Sequence, residues 1–324
     1  MEKNINNILI TGGCGFIASN FINYYFKKNK NCNIFNIDAM YYCANINNID
    51  ENIRNSDRYS FIKGNLCSYD LILHILNNNQ IDTVIHFAAQ SHVQKSFEDS
   101  LQYTMDNIVG THNLLEVNRR YNNNLIKFIH VSTDEVYGES MLDVNESHKT
   151  EQSILCPTNP YAATKASAEL LAQSYNHSFK MPIIITRGNN VYGPNQYPEK
   201  VIPRFIQQIK NGDKITIQGD GSCVRAFLHA YDTAEAFIAI LKKGVVGEIY
   251  NIGCDEGMEY SILDLARMLI YKIYGSSVNF KEYIDYIEDR PFNDKRYYIS
   301  NKKIKDLGWE ITINLDDGLD MLLH

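Results

Sequence analysis

Residues 7–18 read N-I-L-I-T-G-G-C-G-F-I-A, a short apolar run that leads directly into a glycine-rich turn. The apolar run has the length of a buried parallel strand, and a helical pattern begins after the turn. The turn has the spacing G-x-x-G-x-x-A, in which Gly12 permits a tight bend and Gly15 permits close approach to a pyrophosphate. Ala18 then lets the helix pack closely against the strand. These residues predict a strand–turn–helix unit that binds a dinucleotide.

The start of this helix and the end of the next strand indicate which dinucleotide is bound. Phe16 and Ile17 lie in the first helical turn, where N–H groups and the positive end of the helix dipole face the phosphates. The second predicted strand ends at Asp38, about 20 residues beyond the turn, where an acid is expected to bind the adenosine ribose. No Arg or Lys directly follows Asp38, and its carboxylate would repel a 2′-phosphate. The sequence therefore favours NAD over NADP.

The first half of the chain alternates strand-length apolar runs with helical patterns. Strands are predicted at residues 8–11, 33–37, 59–63, 83–87, 128–132 and 183–186, and helices at 16–27, 70–77, 102–121 and 161–179. Strands that alternate with helices form right-handed βαβ units and a parallel sheet. We therefore predict an α/β fold with a Rossmann-type, doubly wound parallel sheet.

From about Gly188 the rhythm changes to shorter strands mixed with helices. Strands are predicted at 215–218, 225–228, 249–252 and 296–300, and helices at 203–210, 233–242 and 262–271. We predict that residues 1–187 form an NAD-binding domain with the catalytic residues. Residues 188–324 are predicted to form mainly a smaller α+β substrate-binding lobe at the C-terminal end, with the chain passing between the two.

The composition bounds the class of protein. The chain has 324 residues with 44% hydrophobic and 21% charged residues, a net charge of −7 and a pI near 5.7. This acidic balance argues against a nucleic-acid surface, and no apolar run is long enough to span a bilayer. The first strand begins near Asn7, which leaves no room for a secretory signal. Seven scattered cysteines without a C-x-x-C pair predict free thiols and no metal site. We expect a cytoplasmic protein.

Two further segments carry chemically active side chains. Tyr161 and Lys165 are four residues apart and so lie on one face of a predicted helix. A cation beside a phenol favours the phenolate, so Tyr161 can act as a base at neutral pH. Residues 132–138 read S-T-D-E-V-Y-G and place two adjacent carboxyls at the end of a predicted strand. A carboxyl pair of this kind distinguishes an elimination from a simple hydride transfer.

The adjacent carboxyls of Asp134 and Glu135 predict the local backbone conformation. Asp134 and Glu135 cannot both ionise cheaply when close together, so one of them keeps a proton and an acid–base pair results. Consecutive strand residues point to opposite faces, so both carboxyls reach one substrate only if the backbone leaves strand geometry at Thr133. We predict a turn there. The alternative is that the two carboxyls only cap the start of a helix.

Motifs along nearly the whole chain resemble one enzyme family. Besides the segments above, residues 86–93 read H-F-A-A-Q-S-H-V, residues 187–194 read R-G-N-N-V-Y-G-P and residues 290–294 read R-P-F-N-D. The chain resembles the nucleotide-sugar 4,6-dehydratases of the extended short-chain dehydrogenase/reductase family. It is most similar to the UDP-glucose 4,6-dehydratase module of plant-type rhamnose synthases. Gln90 stands where bacterial dTDP-glucose enzymes usually have Glu.

The resemblance implies a reaction and a role for each catalytic side chain. UDP-glucose loses water to give UDP-4-keto-6-deoxyglucose, with tightly bound NAD regenerated in each turnover. Tyr161 removes the proton of the hydroxyl on carbon 4, Thr133 hydrogen-bonds that oxygen, and Lys165 stabilises the phenolate. Glu135 is expected to take the proton of carbon 5, and Asp134 to protonate the hydroxyl that leaves carbon 6. Which carboxyl holds the proton is left open.

The resemblance also implies the binding residues. The cofactor is expected to contact Gly12, Gly15, Phe16, Ile17, Asp38, Asn65, Leu66, Ala88, Tyr161 and Lys165. The substrate is expected to contact Ser91, His92, Thr133, Asn190, Lys200, Arg225, Asn251 and Arg290, with its diphosphate at Asn190 and the two arginines. Asn65 replaces an acid that usually binds the adenine amine, and its amide oxygen can still accept that hydrogen bond.

Several alternatives remain open from the sequence. Uracil and thymine differ by one methyl, worth roughly 1 kcal/mol in an apolar pocket, so dTDP-glucose is an alternative substrate. A UDP-sugar 4-epimerase, a UDP-glucuronate decarboxylase and a non-enzymatic NAD-binding sensor or scaffold are the other candidates. The resemblance implies a homodimer formed by the helices at 102–121 and 161–179, and a separate epimerase/reductase for later steps.

Overall fold

The computed structural model describes residues 5–140, 147–288 and 295–323. The strands within them are β1 Asn7–Thr11, β2 Asn33–Asp38, β3 Tyr59–Lys63, β4 Thr83–His86, β5 Lys127–Thr133, β6 Ile183–Gly188, β7 Asn190–Tyr192, β8 Ile215–Gln218, β9 Val224–His229, β10 Ile249–Ile252, β11 Glu259–Ser261 and β12 Ile284–Ile287. The α-helices are α1 Phe16–Lys28, α2 Glu51–Arg54, α3 Tyr69–Asn79, α4 Val93–Glu98, α5 Ser100–Tyr103, α6 Gly110–Tyr121, α7 Pro160–Phe179, α8 Val201–Lys210, α9 Ala230–Lys243, α10 Ile262–Tyr274, α11 Lys302–Lys305 and α12 Leu315–Leu323.

A parallel sheet of seven strands, ordered β3-β2-β1-β4-β5-β6-β10, forms the centre of the molecule. Helices cover both faces, which is why its strands are apolar without alternation. Ile8 and Ile10 pack in one apolar cluster with α1 and α9, whereas Leu9 packs in the other with α3, α6 and α7. The strand order reverses between β1 and β4, where α/β folds bind their ligands. The predicted doubly wound sheet is confirmed.

The chain crosses between the sheet and the smaller lobe more often than the sequence pattern indicates. β10 follows the predicted boundary at residue 188, yet it pairs with β6 as the edge of the main sheet. The helix α9 likewise packs against α1. A four-residue strand gives no sign of which sheet it joins, because pairing partners are set by tertiary packing. The division into lobes at 187/188 stays a prediction.

The smaller lobe contains two small sheets, β11-β9-β7 and β8-β12, with α8, α10 and α12 packed around them. The pattern missed β7, β11 and β12, which have only three or four residues each. It wrongly predicted a strand at 296–300, where the structure has a single bridge between Lys149 and Ile299. Tyr297 and Ile299 are buried in this segment, so its apolar character reflects burial of a loop.

The predicted helix at 102–121 is α5 and α6 joined by a π-helical turn, Thr104–Val109. Such turns insert an extra residue and often occur at functional sites. Asn107, in this turn, accepts a hydrogen bond from the Gln90 N–H at 2.7 Å and donates to Thr164 Oγ1 at 2.9 Å. The turn therefore ties the loop after β4 to helix α7.

Two general properties complete the description. Within the described ranges, no helix combines the length and apolar character needed to cross a membrane. All seven cysteines are free thiols.

Candidate active site

A cavity of about 500 Å³ runs along the carboxyl ends of the central strands. It lies at the reversal of strand order and extends to the small lobe. Its lining contains all ten predicted cofactor residues, namely Gly12, Gly15, Phe16, Ile17, Asp38, Asn65, Leu66, Ala88, Tyr161 and Lys165. Thr133, Asp134 and Glu135 line it too, so the structure brings the predicted catalytic residues to the same space.

The glycine turn after β1 has the shape needed for a dinucleotide. Gly12 has φ +70°, and its N–H donates to the Ile37 carbonyl at 2.8 Å. A Cβ at Gly12 would lie 2.7 Å from Cα of Ala88, so no larger residue fits there. Gly15 directly precedes α1 and carries no side chain to fill the space before the helix. The turn therefore leaves the helix N-terminus accessible to phosphates.

Asp38 is fixed at the end of β2 by the backbone around it. Its Oδ2 accepts a hydrogen bond from the Cys14 N–H at 2.9 Å, and its Oδ1 accepts from the Met40 N–H at 2.8 Å. Burial raises the pKa of Asp38, while these two hydrogen bonds oppose the increase. The carboxylate is thus oriented beside the glycine turn, as a ribose-binding acid requires.

A second carboxyl, which the sequence analysis missed, lies beside Asn65. The Asn65 Oδ1 accepts from the Cys67 N–H at 2.7 Å, and its Nδ2 donates to Tyr41 Oη at 2.8 Å and to Asp106 Oδ1 at 3.1 Å. Asp106 lies in the π-helical turn and also lines the cavity. No sequence signal marked it, because a regular helix gives no reason to direct this position into the site.

The carboxyl pair lies on a tight turn. β5 ends at Thr133, and Asp134–Tyr137 form a single turn of 3-10 helix. Thr133 Oγ1 accepts from the Glu135 N–H at 3.3 Å and donates to Asp134 Oδ1 at 3.1 Å. Gly138, with φ +78°, ends the turn where a Cβ would lie 2.2 Å from the Cys156 carbonyl oxygen. The predicted departure from strand geometry at Thr133 is confirmed.

Asp134 and Glu135 differ in environment. Burial, followed by the neighbouring charge of Glu135, raises the pKa of Asp134 to about 7. Asp134 Oδ2 accepts a hydrogen bond from Asn189 Nδ2 at 2.7 Å. Glu135 is less buried and accepts from Asn159 Nδ2 at 3.0 Å. Near neutral pH, Asp134 is therefore the member of the pair suited to hold a proton.

Asn159 connects the carboxyl pair to helix α7 and was not singled out from the sequence. Its Oδ1 accepts from the Ala162 N–H at 2.8 Å and so caps the helix, and Pro160 is the first helical residue. The dipeptide Asn159-Pro160 is a helix-start signal, but nothing local shows that the same amide also reaches Glu135.

Tyr161 and Lys165 are buried on one face of α7. Lys165 Nζ donates to the Val131 carbonyl at 2.7 Å, and burial lowers the pKa of Lys165 to about 8. Burial and the charges of Glu135 and Asp134 raise the pKa of Tyr161. In this structure the Lys165 ammonium is bound to a backbone carbonyl, and its stabilisation of the Tyr161 phenolate stays a prediction.

Predicted substrate residues line the end of the cavity nearest the small lobe. Ser91, His92, Asn190, Lys200 and Arg225 are all in its lining. The His92 Nε2 lies 3.5 Å from Oε2 of Glu199, and its Nδ1 accepts from the Lys95 N–H at 3.2 Å. Burial raises the pKa of Asp134, and the positive charge of Arg225 opposes this increase slightly.

One predicted substrate residue, Asn251, lies away from the cavity. The structure does not bring Asn251 to the cavity, since its side chain is fully buried and bonded to Tyr137 Oη and the Lys149 carbonyl. Arg290 lies outside the described residues. Arg204 of α8 lines the cavity and was missed, because one arginine on an amphipathic helix resembles an ordinary surface charge.

Comparisons with known proteins agree with this site. The family model described as GDP-mannose 4,6 dehydratase matches residues 9–322. A trifunctional UDP-glucose 4,6-dehydratase/3,5-epimerase/reductase of Arabidopsis thaliana is 46% identical over 97% of this chain, which spans 46% of that protein's length. The dTDP-D-glucose 4,6-dehydratase of Dictyostelium discoideum is 43% identical over 98% of this chain and 80% of its own.

Solved structures show the same similarity. The dTDP-glucose 4,6-dehydratase of Bacillus anthracis, crystallised with NAD, has a TM-score of 0.88 and 34% identity, with 98% of this chain and 95% of that chain covered. The UDP-glucuronic acid 4-epimerase of Bacillus cereus, with UDP-glucuronic acid and NAD, has a TM-score of 0.86 and 33% identity, with 97% of each chain covered. The chain belongs to the GDP-mannose 4,6-dehydratase family, which confirms the resemblance to nucleotide-sugar 4,6-dehydratases.

Proposed function

We propose that the protein is an NAD-dependent dehydratase that converts UDP-glucose to UDP-4-keto-6-deoxyglucose. The observation that carries this proposal is the carboxyl pair Asp134–Glu135, which faces the same cavity as Tyr161 and Lys165. Epimerisation at carbon 4 needs only one base, such as Tyr161. Loss of water also needs an acid for the leaving hydroxyl and a second base. The pair therefore favours a dehydratase over a 4-epimerase.

The residues at one end of the cavity fit NAD. Gly12 and Gly15 leave room for the pyrophosphate, Asp38 is placed for the adenosine ribose, and Asn65 with Asp106 offers acceptors for the adenine amine. When bound there, NAD would supply reversible hydride transfer with the sugar, so that the reaction would involve no net oxidation. Lys165 also lines the cavity and could orient the nicotinamide ribose.

Tyr161 and Thr133 act on the hydroxyl of carbon 4. Tyr161 as base takes the hydroxyl proton, and Thr133 Oγ1 positions the oxygen by a hydrogen bond. Because burial raises the pKa of Tyr161, deprotonation of the phenol depends on positive charge nearby. Lys165, one helical turn away, and the oxidised nicotinamide are the two sources of that charge.

Asp134 and Glu135 act on carbons 6 and 5. The new ketone acidifies the proton of carbon 5, and Glu135 as base removes it. Asp134, whose pKa is raised to about 7 by burial and so leaves a large fraction protonated at neutral pH, donates its proton to the hydroxyl that leaves carbon 6 as water. The two carboxyls thus perform opposite proton transfers, as their different burial predicts.

The nucleotide of the substrate is proposed to be UDP rather than dTDP. The identity of 46% to the plant UDP-glucose enzyme against 43% to the Dictyostelium dTDP-glucose enzyme supports UDP-glucose by a narrow margin. Residues 188–200 read G-N-N-V-Y-G-P-N-Q-Y-P-E-K and resemble the plant-type group, and this segment contributes Asn190 and Lys200 to the cavity lining. The product would be a precursor of UDP-rhamnose or a related deoxysugar. A separate epimerase and reductase, acting after this enzyme, would convert the precursor to that sugar.

The assembly is also proposed. Leu101, Met105 and Leu170 are exposed by 78%, 47% and 57%, and they lie on α5, the π-helical turn and α7. Exposed apolar side chains on neighbouring helices suit contact with a second copy, so we propose a homodimer. Light scattering after size-exclusion chromatography would give the mass of a dimer, and a monomer at micromolar concentration would contradict it.

The proposed function is tested with the purified protein and two sugars. UDP-glucose and dTDP-glucose are incubated separately without added reductant, and the products are measured by mass spectrometry. We expect a product lighter by one water, formed faster from UDP-glucose. An unchanged mass with conversion to the galactose isomer would show an epimerase. Faster turnover of dTDP-glucose would overturn the choice of nucleotide but keep the dehydratase.

A further inference from the structure

A buried network behind the cavity joins the two segments that carry the active groups. Arg187 on β6 has 2% of its side chain exposed, and its guanidinium forms an ion pair with Glu169 of α7. Its Nη1 donates to Tyr137 Oη at 2.6 Å. Tyr137 is the last residue of the 3-10 turn that begins with Asp134. One guanidinium therefore contacts both the catalytic helix and the carboxyl-bearing turn.

The network is completed by the neighbouring strands. In the main sheet, Arg187 pairs in register with Ser132 of β5 on one side and Asn251 of β10 on the other. Tyr137 Oη donates to Asn251 Oδ1 at 2.8 Å. The phenol thus accepts one hydrogen bond and donates another, which fixes its position. Arg187, Glu169, Tyr137 and Asn251 do not line the cavity, so their effect on substrate is indirect.

The free-energy cost of burying the Arg187–Glu169 ion pair indicates that the network positions structural elements rather than stabilising the fold. Two charges removed from water stabilise a fold weakly, and apolar residues of similar volume often serve as well. Although burial opposes its charge, hydrogen bonding to Glu169 raises the pKa of Arg187, which therefore stays charged. A permanent planar donor with bonds in two directions holds two elements at a fixed distance.

We propose that Arg187 is a positioning residue for the loss of water, because through Tyr137 it holds the turn with Asp134 and Glu135 against helix α7. This inference rests on the proposed function of the carboxyl pair. Tyr161 and Lys165 are held by the regular helix, so formation of the ketone does not depend on the Tyr137 contact. Elimination depends on it, since both carboxyls must reach the sugar that Tyr161 has oxidised.

The substitution Tyr137→Phe tests the inference with the loss of a single oxygen. It keeps the ring and the Arg187–Glu169 ion pair, so α7 keeps its place while the turn loses only its hydrogen bonds to Arg187 and Asn251. Reactions are quenched at short times into sodium borodeuteride, which reduces any ketone and labels it with deuterium. Labelled hexose then reports ketone trapped before water loss, and labelled 6-deoxyhexose reports the product. We expect roughly tenfold slower formation of 6-deoxyhexose, with labelled hexose accumulating at the wild-type initial rate.

Two variants make the result decisive. Tyr175→Phe removes a buried hydroxyl on the same helix, bonded to Glu116 at 2.8 Å, and is expected to leave both rates unchanged. Glu135→Gln should accumulate labelled hexose if the carboxyl pair acts as proposed. Accumulation with Glu135→Gln but not with Tyr137→Phe would overturn the role of Arg187 alone. An equal decrease of both rates in Tyr137→Phe would show a merely structural role, and no accumulation in either variant would reject the role of the carboxyl pair.

Discussion

The two segments that meet at the sugar end of the cavity are held in different ways. Helix α7 has 20 residues, and its own backbone hydrogen bonds fix Tyr161 and Lys165 one turn apart. The carboxyl pair lies on a four-residue 3-10 turn, Asp134–Tyr137. Its position depends on side chains from distant parts of the chain, namely Asn159, Asn189 and Arg187.

This difference separates two kinds of chemistry. A phenol and an ammonium on a helix form a centre that moves the proton of one hydroxyl, while bound NAD would take or return the hydride of the same carbon. This centre needs little from the rest of the fold. Elimination needs one carboxyl that holds a proton and one that has lost it, so their pKa values must differ. Burial and contacts across the sheet produce that difference. We expect substitutions at Tyr161 or Lys165 to prevent formation of the ketone. Substitutions at Asp134 or Glu135 should allow the ketone to form but prevent the loss of water.

The largest effect is expected for Tyr161→Phe. Loss of the phenol removes the base for the hydroxyl of carbon 4, and the expected decrease in turnover is on the order of 10⁴-fold. Borodeuteride quenching should trap neither labelled hexose nor labelled 6-deoxyhexose. Trapped ketone at the wild-type rate would show that another group is the base, and the distinction between the two segments would fail.

A smaller and different effect is expected for Glu135→Gln. The amide keeps the size of the side chain but cannot accept the proton of carbon 5, so product formation should decrease by about 10²–10³-fold. Ketone formation should continue, and labelled hexose should accumulate after the quench. If ketone formation decreased by the same factor as product formation, Glu135 would belong to the first step and the comparison would break.

The pH dependence sharpens the comparison further. The pKa of Asp134 is raised to about 7, so the acid is present below this pH and is lost as the pH rises through it. From pH 7 to pH 8, product formation should therefore decrease by up to about tenfold per pH unit. Over the same range the rate of ketone formation should change by about twofold at most, because Lys165, with its pKa lowered to about 8 by burial, keeps about half of its charge at pH 8. The variant Asp134→Asn has no proton to lose, so its low residual rate of product formation should not decrease in this window.

The smallest effect concerns Asn159, which contacts both segments. Asn159→Ala removes the cap of α7, and the free energy of unfolding should decrease by about 1 kcal/mol. Asn159→Asp keeps a capping oxygen and should keep most of this stability. It places a carboxylate beside Glu135, however, so elimination should slow while ketone formation continues. Urea unfolding and the quench assay measure the two effects separately, and equal stability of the two variants would show that the cap contributes little.

Much of the fold and part of the site could be predicted from local patterns. The glycine turn, Asp38, the pair Tyr161–Lys165 and the departure from strand geometry at Thr133 all lie where the sequence places them. Each depends on residues close together in the chain, where dihedral limits and helix or strand periodicity restrict the structure. The predicted strand at 296–300 failed because a buried loop can have the same apolar residues as a strand.

The sequence by itself determined the alternation of longer strands and helices in the first half of the chain, the nucleotide turn and the types of active groups. Only the tertiary structure decided which strand β10 joins, that Asp106 enters the cavity beside Asn65, and that Asn251 lies behind the site. It also decided which carboxyl keeps its proton, because the pKa of Asp134 depends on burial by residues far along the chain. Local geometry depends on residues that are adjacent in the sequence, so the sequence can predict it. Burial and long-range contacts, and the pKa shifts that they cause, exist only once the chain is packed.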